Sequence, residues 1–127
     1  MHLQESGEMY LETIYILSQK EVPVRVTDIG EYMGFSKPSV SRAVGLLKEG
    51  GFVAVNEEGH ITLTDIGRET AQRTYERHTF LTEWFLRLGV SRDTASEDAC
   101  KIEHDISEET FNAIKNFVKK QSDGEIS

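Results

Sequence analysis

Apolar residues recur at helical spacing in three successive segments of the first half of the chain, and this pattern predicts three helices. The first covers residues 6–20 and is followed by Pro23, which disfavours helix in the residue before it. The second is predicted to begin at Thr27 and the third at Ser36, because hydroxyl side chains cap the free amides of a first helical turn. The residues predicted to end these two helices are Gly34 and the pair Gly50-Gly51.

The pattern changes between Phe52 and Thr64, where apolar and polar residues alternate, and this predicts two β-strands joined by a tight turn. Thr64 is the predicted cap of a long fourth helix that ends at Gly89. A helix, a turn, a second helix and a β-hairpin follow one another in a winged helix-turn-helix. In that fold one helix braces the next, which lies in the major groove of DNA, and the hairpin contacts the flanking backbone.

The last third of the chain is predicted to be helical. A fifth helix runs from Ser91 to about His104, and a sixth begins at the cap Ser107. Residues 121–127 have no apolar periodicity, and we expect them to be disordered. The predicted fold class is therefore mainly α with a small β-hairpin wing.

The third helix carries hydroxyl and cationic side chains on the side away from Val40 and Val44. Serine hydroxyls can bond phosphates or base edges, and arginine can make a bidentate contact to guanine. A solvated, serine-rich helix is the alternative, but the hairpin and the two caps favour DNA binding. The residues predicted to contact DNA are Ser36, Lys37, Pro38, Ser39, Ser41, Arg42 and Lys48.

The composition narrows the class of protein. The 127 residues suffice for one domain or two small subdomains, and the net charge of −8 argues against general binding of nucleic acid. Between Ser36 and Lys48, however, the only charged side chains are cations. A single cysteine fits a reducing cytosol, and neither a bilayer-spanning run nor a signal pattern is present. We therefore expect a cytoplasmic protein with no membrane partner.

Cys100, Glu103 and His104 stand at positions i, i+3 and i+4. On a helix this spacing places a thiolate, a carboxylate and an imidazole on one face. These are the donors that a mid-row divalent metal prefers. Each residue alone is read more simply as a core or surface residue, whereas the three together indicate a metal site.

In both halves the chain resembles the diphtheria-toxin-repressor family of metal-dependent repressors, which includes the iron-dependent and manganese-transport regulators. The resemblance runs from about residue 6 to residue 119 and rests on the segments 8–15, 36–42, 63–68, 77–78 and 97–104. It implies a homodimeric repressor of a palindromic DNA operator. The winged helix-turn-helix would occupy residues 1–74 and a helical metal-binding and dimerisation subdomain residues 75–120, with metal bound between them.

The resemblance also implies a ligand set. An iron-type activating site would use Met9, Cys100, Glu103 and His104. Glu12 matches a ligand position of the manganese regulators, and His78 matches a histidine of a second metal site. That second site also needs a glutamate and a further histidine, at positions where this chain has Thr82 and Ser96. It is therefore either a hybrid of Glu12, His78 and Glu103 or absent.

The softness of the proposed ligands indicates which metal the site would prefer. Thioether and thiolate donors favour Fe(II), and Co(II), Ni(II) or Zn(II) can substitute. Mn(II) is the alternative, since Glu12 hardens the site.

A winged-helix regulator of an organic ligand, with a structural cysteine cluster, is the competing function. An enzyme is not predicted, because neither H-E-x-x-H nor a nucleophile elbow occurs. Five apolar positions could form either a dimer interface or the monomer's own core: Trp84, Phe85, Phe111, Ile114 and Phe117.

Overall fold

The computed structural model describes residues 5–122 of the chain. The helices and strands within these residues are α1 (Glu5–Ser18), α2 (Val26–Met33), α3 (Lys37–Glu49), β1 (Val53–Val55), β2 (Ile61–Leu63), α4 (Asp65–Arg87), α5 (Arg92–Ile102) and α6 (Glu108–Ser122). They form two compact units, which divide within α4 between Arg73 and Thr74. No helix in the described range is long and apolar enough to cross a membrane.

The first unit is a three-helix core with a hairpin. Its innermost side chains come from every element before α4 and include Leu11, Ile14, Ile29, Val40 and Ile61, each at most 2% exposed. The strands β1 and β2 pair antiparallel, and Val24 adds an isolated bridge to Ile61. This is the winged helix-turn-helix that the sequence predicts.

Three predicted hydroxyl caps are confirmed. Ser36 accepts a hydrogen bond from the amide of Ser39 at 3.4 Å, Thr64 from Gly67 at 3.1 Å, and Ser107 from Thr110 at 3.1 Å. Each hydroxyl satisfies an amide that has no partner within its own helix, so the chain enters each helix at a defined residue. The predicted end of α2 is also confirmed, because Gly34 is left-handed with φ 75°.

The predicted cap of α2 was wrong. The helix begins at Val26, so Thr27 lies inside it, and the N-cap is Arg25. The backbone amide of Arg25 donates to the Asp28 carboxylate at 2.9 Å, which gives this helix its capping contact one turn further along. The first helix is also shorter than predicted, because it ends at Ser18. The chain then turns, and each of the next three amides bonds to the carbonyl three residues earlier.

The second unit packs the last part of α4 against α5 and α6. Leu81, Ala99 and Phe111 form its buried centre. Phe80 meets Phe111 edge to face with ring centroids 5.6 Å apart, a favourable arrangement of two aromatic quadrupoles. Phe111 is therefore a residue of the monomer's own core.

Two further predictions in this unit need correction. The fifth helix ends at Ile102, so Glu103 and His104 lie in the turn after it rather than on its face. The sixth helix continues to Ser122, and Gln121 and Ser122 are therefore helical, whereas the sequence predicts disorder from residue 121. Lysines in the last turn of α6 favour this extension, because cations stabilise the negative end of a helix dipole. Residues 123–127 lie outside the described part of the chain.

Candidate metal centre

The second unit brings a thiolate, a carboxylate and an imidazole together at the end of α5. One donor atom from each of Cys100, Glu103 and His104 lies within 4.8 Å of the other two. The side chains of His104 and Glu103 are 2% and 0% exposed, and Cys100 is half-buried. Among the histidines, cysteine and carboxylates of residues 5–122, these three residues form the cluster that could hold a metal ion.

The Glu103 carboxylate lies between two histidines. Its Oε2 is 2.8 Å from Nδ1 of His78, and its Oε1 is 3.3 Å from Nε2 of His104. Burial raises the pKa of Glu103. The hydrogen bonds and charges of His104 and His78 lower the pKa by more than burial raises it, so the net shift is downward. Glu103 is therefore an ionised carboxylate near neutral pH, which is the form that binds a cation.

Arg77, to which the sequence analysis gave no role beyond membership of the segment 77–78, contacts this turn. The Nη1 group of Arg77 donates to the carbonyl of Glu103 at 3.1 Å and to that of Ile106 at 2.7 Å. Its guanidinium also lies 5.3 Å from the ring centroid of Phe111. The available sequence signal was only its position beside His78, because the contacts depend on residues 26 and 29 positions further along the chain.

The other predicted ligands have different settings. His78 lies on α4 and joins the cluster through Glu103. Met9 and Glu12 lie one turn apart on α1, in the first unit, and both are half-buried. Their participation in the site stays a prediction. Thr82, at a position where a second site would need a glutamate, donates its hydroxyl to the carbonyl of His78 at 2.7 Å.

The predicted DNA-binding side chains are all exposed in the first unit. Val40, Val44 and Leu47 turn inward from α3, and seven residues lie exposed at its start and along its outer side: Ser36, Lys37, Pro38, Ser39, Ser41, Arg42 and Lys48. This is the arrangement that a helix needs to enter a groove while its opposite side stays in the core.

A contact missed by sequence reasoning ties the wing to the start of α2. Arg25 Nη2 lies 2.9 Å from Nε2 of His60, and its Nη1 donates to the carbonyl of Glu58 at 3.4 Å. Both partners belong to the hairpin between β1 and β2. The helix-turn-helix and the wing are thus joined by a side chain as well as by the core.

A winged helix with an exposed hydroxyl and cationic face, followed by a unit with a buried donor cluster, defines a DNA-binding regulator with a metal-type site. Two family profiles agree with this class. "Iron dependent repressor, N-terminal DNA binding domain" matches residues 2–61, and "Iron dependent repressor, metal binding and dimerisation domain" matches residues 64–123. The chain belongs to this family of metal-dependent transcriptional repressors.

Individual relatives are similar over most of the chain. An HTH-type transcriptional regulator of Methanocaldococcus jannaschii is 32% identical over 126 residues, which cover 95% of this chain and 98% of the relative. The transcriptional regulator MntR of Escherichia coli O6:H1 is 33% identical over 119 residues, 94% of this chain and 77% of the relative. The structure of the manganese regulator SloR matches with a TM-score of 0.80 at 27% identity. That match covers 89% of this chain and 53% of SloR, so the chain spans about half of SloR's length.

These similarities confirm three predictions: the family, the mainly helical winged fold, and metal-dependent repression rather than response to an organic ligand. The similarities indicate a divalent metal but do not identify which one. The family binds divalent metals, and manganese regulators occur among the similar solved structures.

Proposed function

We propose that this protein represses transcription when a divalent metal binds Cys100, Glu103 and His104. The observation that carries the proposal is the arrangement of Glu103, a buried carboxylate held between two histidines with the cysteine thiol beside it. A buried charge needs compensation, and such a donor set becomes fully compensated when a cation joins it.

The proposed metal is Fe(II) or Mn(II). The Cys100 thiolate is a soft donor, which favours Fe(II) and also accepts Co(II), Ni(II) or Zn(II). The similar solved structures that are named as manganese-dependent regulators favour Mn(II). Because affinity alone would select later metals of the series, the free concentration of each metal in the cell decides which one acts.

We further propose that Met9 and Glu12 complete the ligand set. Three donors leave positions open on an ion that takes about four to six ligands. A thioether and a carboxylate one turn apart on α1 could supply two of them. Metal-dependent repression would then follow by linkage: if DNA selects the arrangement that also binds metal best, each ligand raises the affinity for the other.

The proposed DNA partner is a palindromic operator bound by a homodimer in the cytoplasm. A symmetric dimer reads two half-sites with its two recognition helices. The exposed face of α3 would supply the contacts to each half-site. For the dimer contact we propose the shallow apolar hollow of the second unit that Trp84, Ile114 and Phe117 line, since Phe117 is 49% exposed.

The test is anaerobic binding to a family-type palindromic operator at fixed salt, with Fe(II) and Mn(II) titrated in parallel after chelator treatment. We expect binding that requires metal and is lost in Cys100→Ala. The matched control is Asp98→Asn, an exposed acid on the same helix. Metal-dependent binding by Cys100→Ala would contradict the assigned ligands. Wild-type binding that ignores both metals and the chelator would contradict the proposed function.

A further inference from the structure

The guanidinium of Arg77 connects two points of the turn that bears the metal donors. Its Nη1 donates to the carbonyl of Glu103 at 3.1 Å and to the carbonyl of Ile106 at 2.7 Å. Glu103 and His104 both lie within the stretch that these two hydrogen bonds span. The helix α5 ends at Ile102, and the amide of Glu103 makes its last regular hydrogen bond, to the carbonyl of Ala99. The carbonyls of Glu103 and Ile106 face away from these backbone bonds and accept from Arg77 instead.

We propose that Arg77 is a positioning residue for the metal centre: it holds the backbone of the turn so that Glu103 and His104 point at a common ion. The inference rests on the proposed function of Cys100, Glu103 and His104 as metal ligands. Arg77 itself binds no metal, since a guanidinium offers only donors.

The setting of Arg77 supports a positioning role over a surface role. The side chain is half-buried and lies over the ring of Phe111, with its central carbon 5.3 Å from the ring centroid. Phe111 is part of the core, so the guanidinium is anchored on a rigid group. Its Nε is buried and has no hydrogen-bond partner among the described residues.

The charge of Arg77 and its hydrogen bonds to the turn predict opposite effects on metal affinity, which makes the inference testable. A cation close to a metal site repels the metal, so removing the charge of Arg77 should by Coulomb's law alone tighten metal binding. If Arg77 instead positions the ligands, removing its hydrogen bonds should weaken binding. Outer partners of metal ligands typically contribute about 10- to 100-fold in affinity.

The experiment compares Arg77→Met and Arg77→Lys with the wild-type chain. Methionine keeps an apolar stem against Phe111 but donates no hydrogen bond, and lysine keeps the charge but loses the planar fork. The matched control is Arg73→Met, one turn earlier on α4 and exposed. Co(II) alone serves as the probe, because thiolate-to-cobalt absorption reports on Cys100. Helical circular dichroism of the metal-free proteins shows which variants fold.

We expect Arg77→Met to bind Co(II) at least about tenfold more weakly, with altered visible bands, and Arg77→Lys to fall between it and wild type. Arg73→Met should match wild type. Unchanged or tighter binding by Arg77→Met would overturn the inference while leaving the proposed site intact. If Arg77→Met does not fold, Arg77→Lys decides, and a wild-type affinity and spectrum in that variant would overturn it. Failure of the wild-type chain to bind Co(II) would overturn the proposed site and this inference together.

Discussion

The Oε2 atom of Glu103 lies 2.8 Å from Nδ1 of His78, although the two residues are 25 positions apart in the chain. The glutamate side chain is fully buried, whereas the imidazole is 29% exposed. The histidine therefore connects a buried charge to the surface of the second unit. A cation that binds this carboxylate must share it with, or displace, a hydrogen bond that the protein already makes.

Replacing Glu103 with glutamine should weaken metal binding strongly. Glu103→Gln keeps the size of the side chain but removes the negative charge and one acceptor, so we expect Co(II) affinity to fall by at least about tenfold. Calorimetric titration of the metal-free protein measures this change. The control is Glu97→Gln, an exposed acid on α5. Equal losses in both variants would mean that general acidity, rather than this carboxylate, attracts the metal.

Acid should destabilise the metal-free protein through the same residue. Burial raises the pKa of Glu103, but His104 and His78 lower it more, so the folded pKa lies below the unfolded one. Such a group contributes stability that is present above the unfolded pKa, about 4.5, and is lost as pH falls through the folded pKa. We expect the difference in free energy of unfolding between wild type and Glu103→Gln to shrink in that range. Urea unfolding at several pH values measures it, and a difference independent of pH would refute the assignment.

The exposed face of α3 should show two kinds of DNA contact. Lys37→Ala should weaken operator binding and reduce the slope of log affinity against log salt by about one, as expected for one lost phosphate contact. Arg42→Ala should reduce discrimination between operator and mismatched DNA by about 1–3 kcal/mol if it reads a base. Binding measured over a salt series separates the two. Lys20→Ala, exposed after α1, is the control that should change neither quantity.

Two glycines should respond to alanine in opposite directions. A Cβ at Gly67 would lie 2.0 Å from the backbone oxygen of Phe52, so Gly67→Ala must displace the backbone and should destabilise the protein by about 2 kcal/mol or more. At Gly45, inside α3, such a Cβ would have no described atom within 4 Å apart from its chain neighbours and the backbone of its own helix. Gly45→Ala should therefore stabilise the protein by about 0.5–1 kcal/mol. Thermal unfolding compares the pair, and a mild effect at Gly67 would show that α4 can shift away from Phe52.

Local pattern was sufficient wherever a structure depends on residues close in sequence. Ser36, Thr64 and Ser107 were recognised as caps because a hydroxyl satisfies an amide only three residues away. The buried face of α3 follows from helical periodicity alone, and the hairpin from alternation. The donor types at Cys100, Glu103 and His104 were also visible, because their spacing is short. These local signals, with the family resemblance, led from sequence to a metal-dependent repressor.

Contacts between distant residues decided the rest. The predicted fifth helix ran to His104, but it ends at Ile102, and Arg77 of α4 binds the carbonyls of the turn that follows. The same approach of α4 places Nδ1 of His78 2.8 Å from Oε2 of Glu103. Helical periodicity carries no information about which side chain of another helix will compete for a backbone carbonyl. The residue types at the site could therefore be predicted, whereas their geometry depended on the packing of α4 against the end of α5.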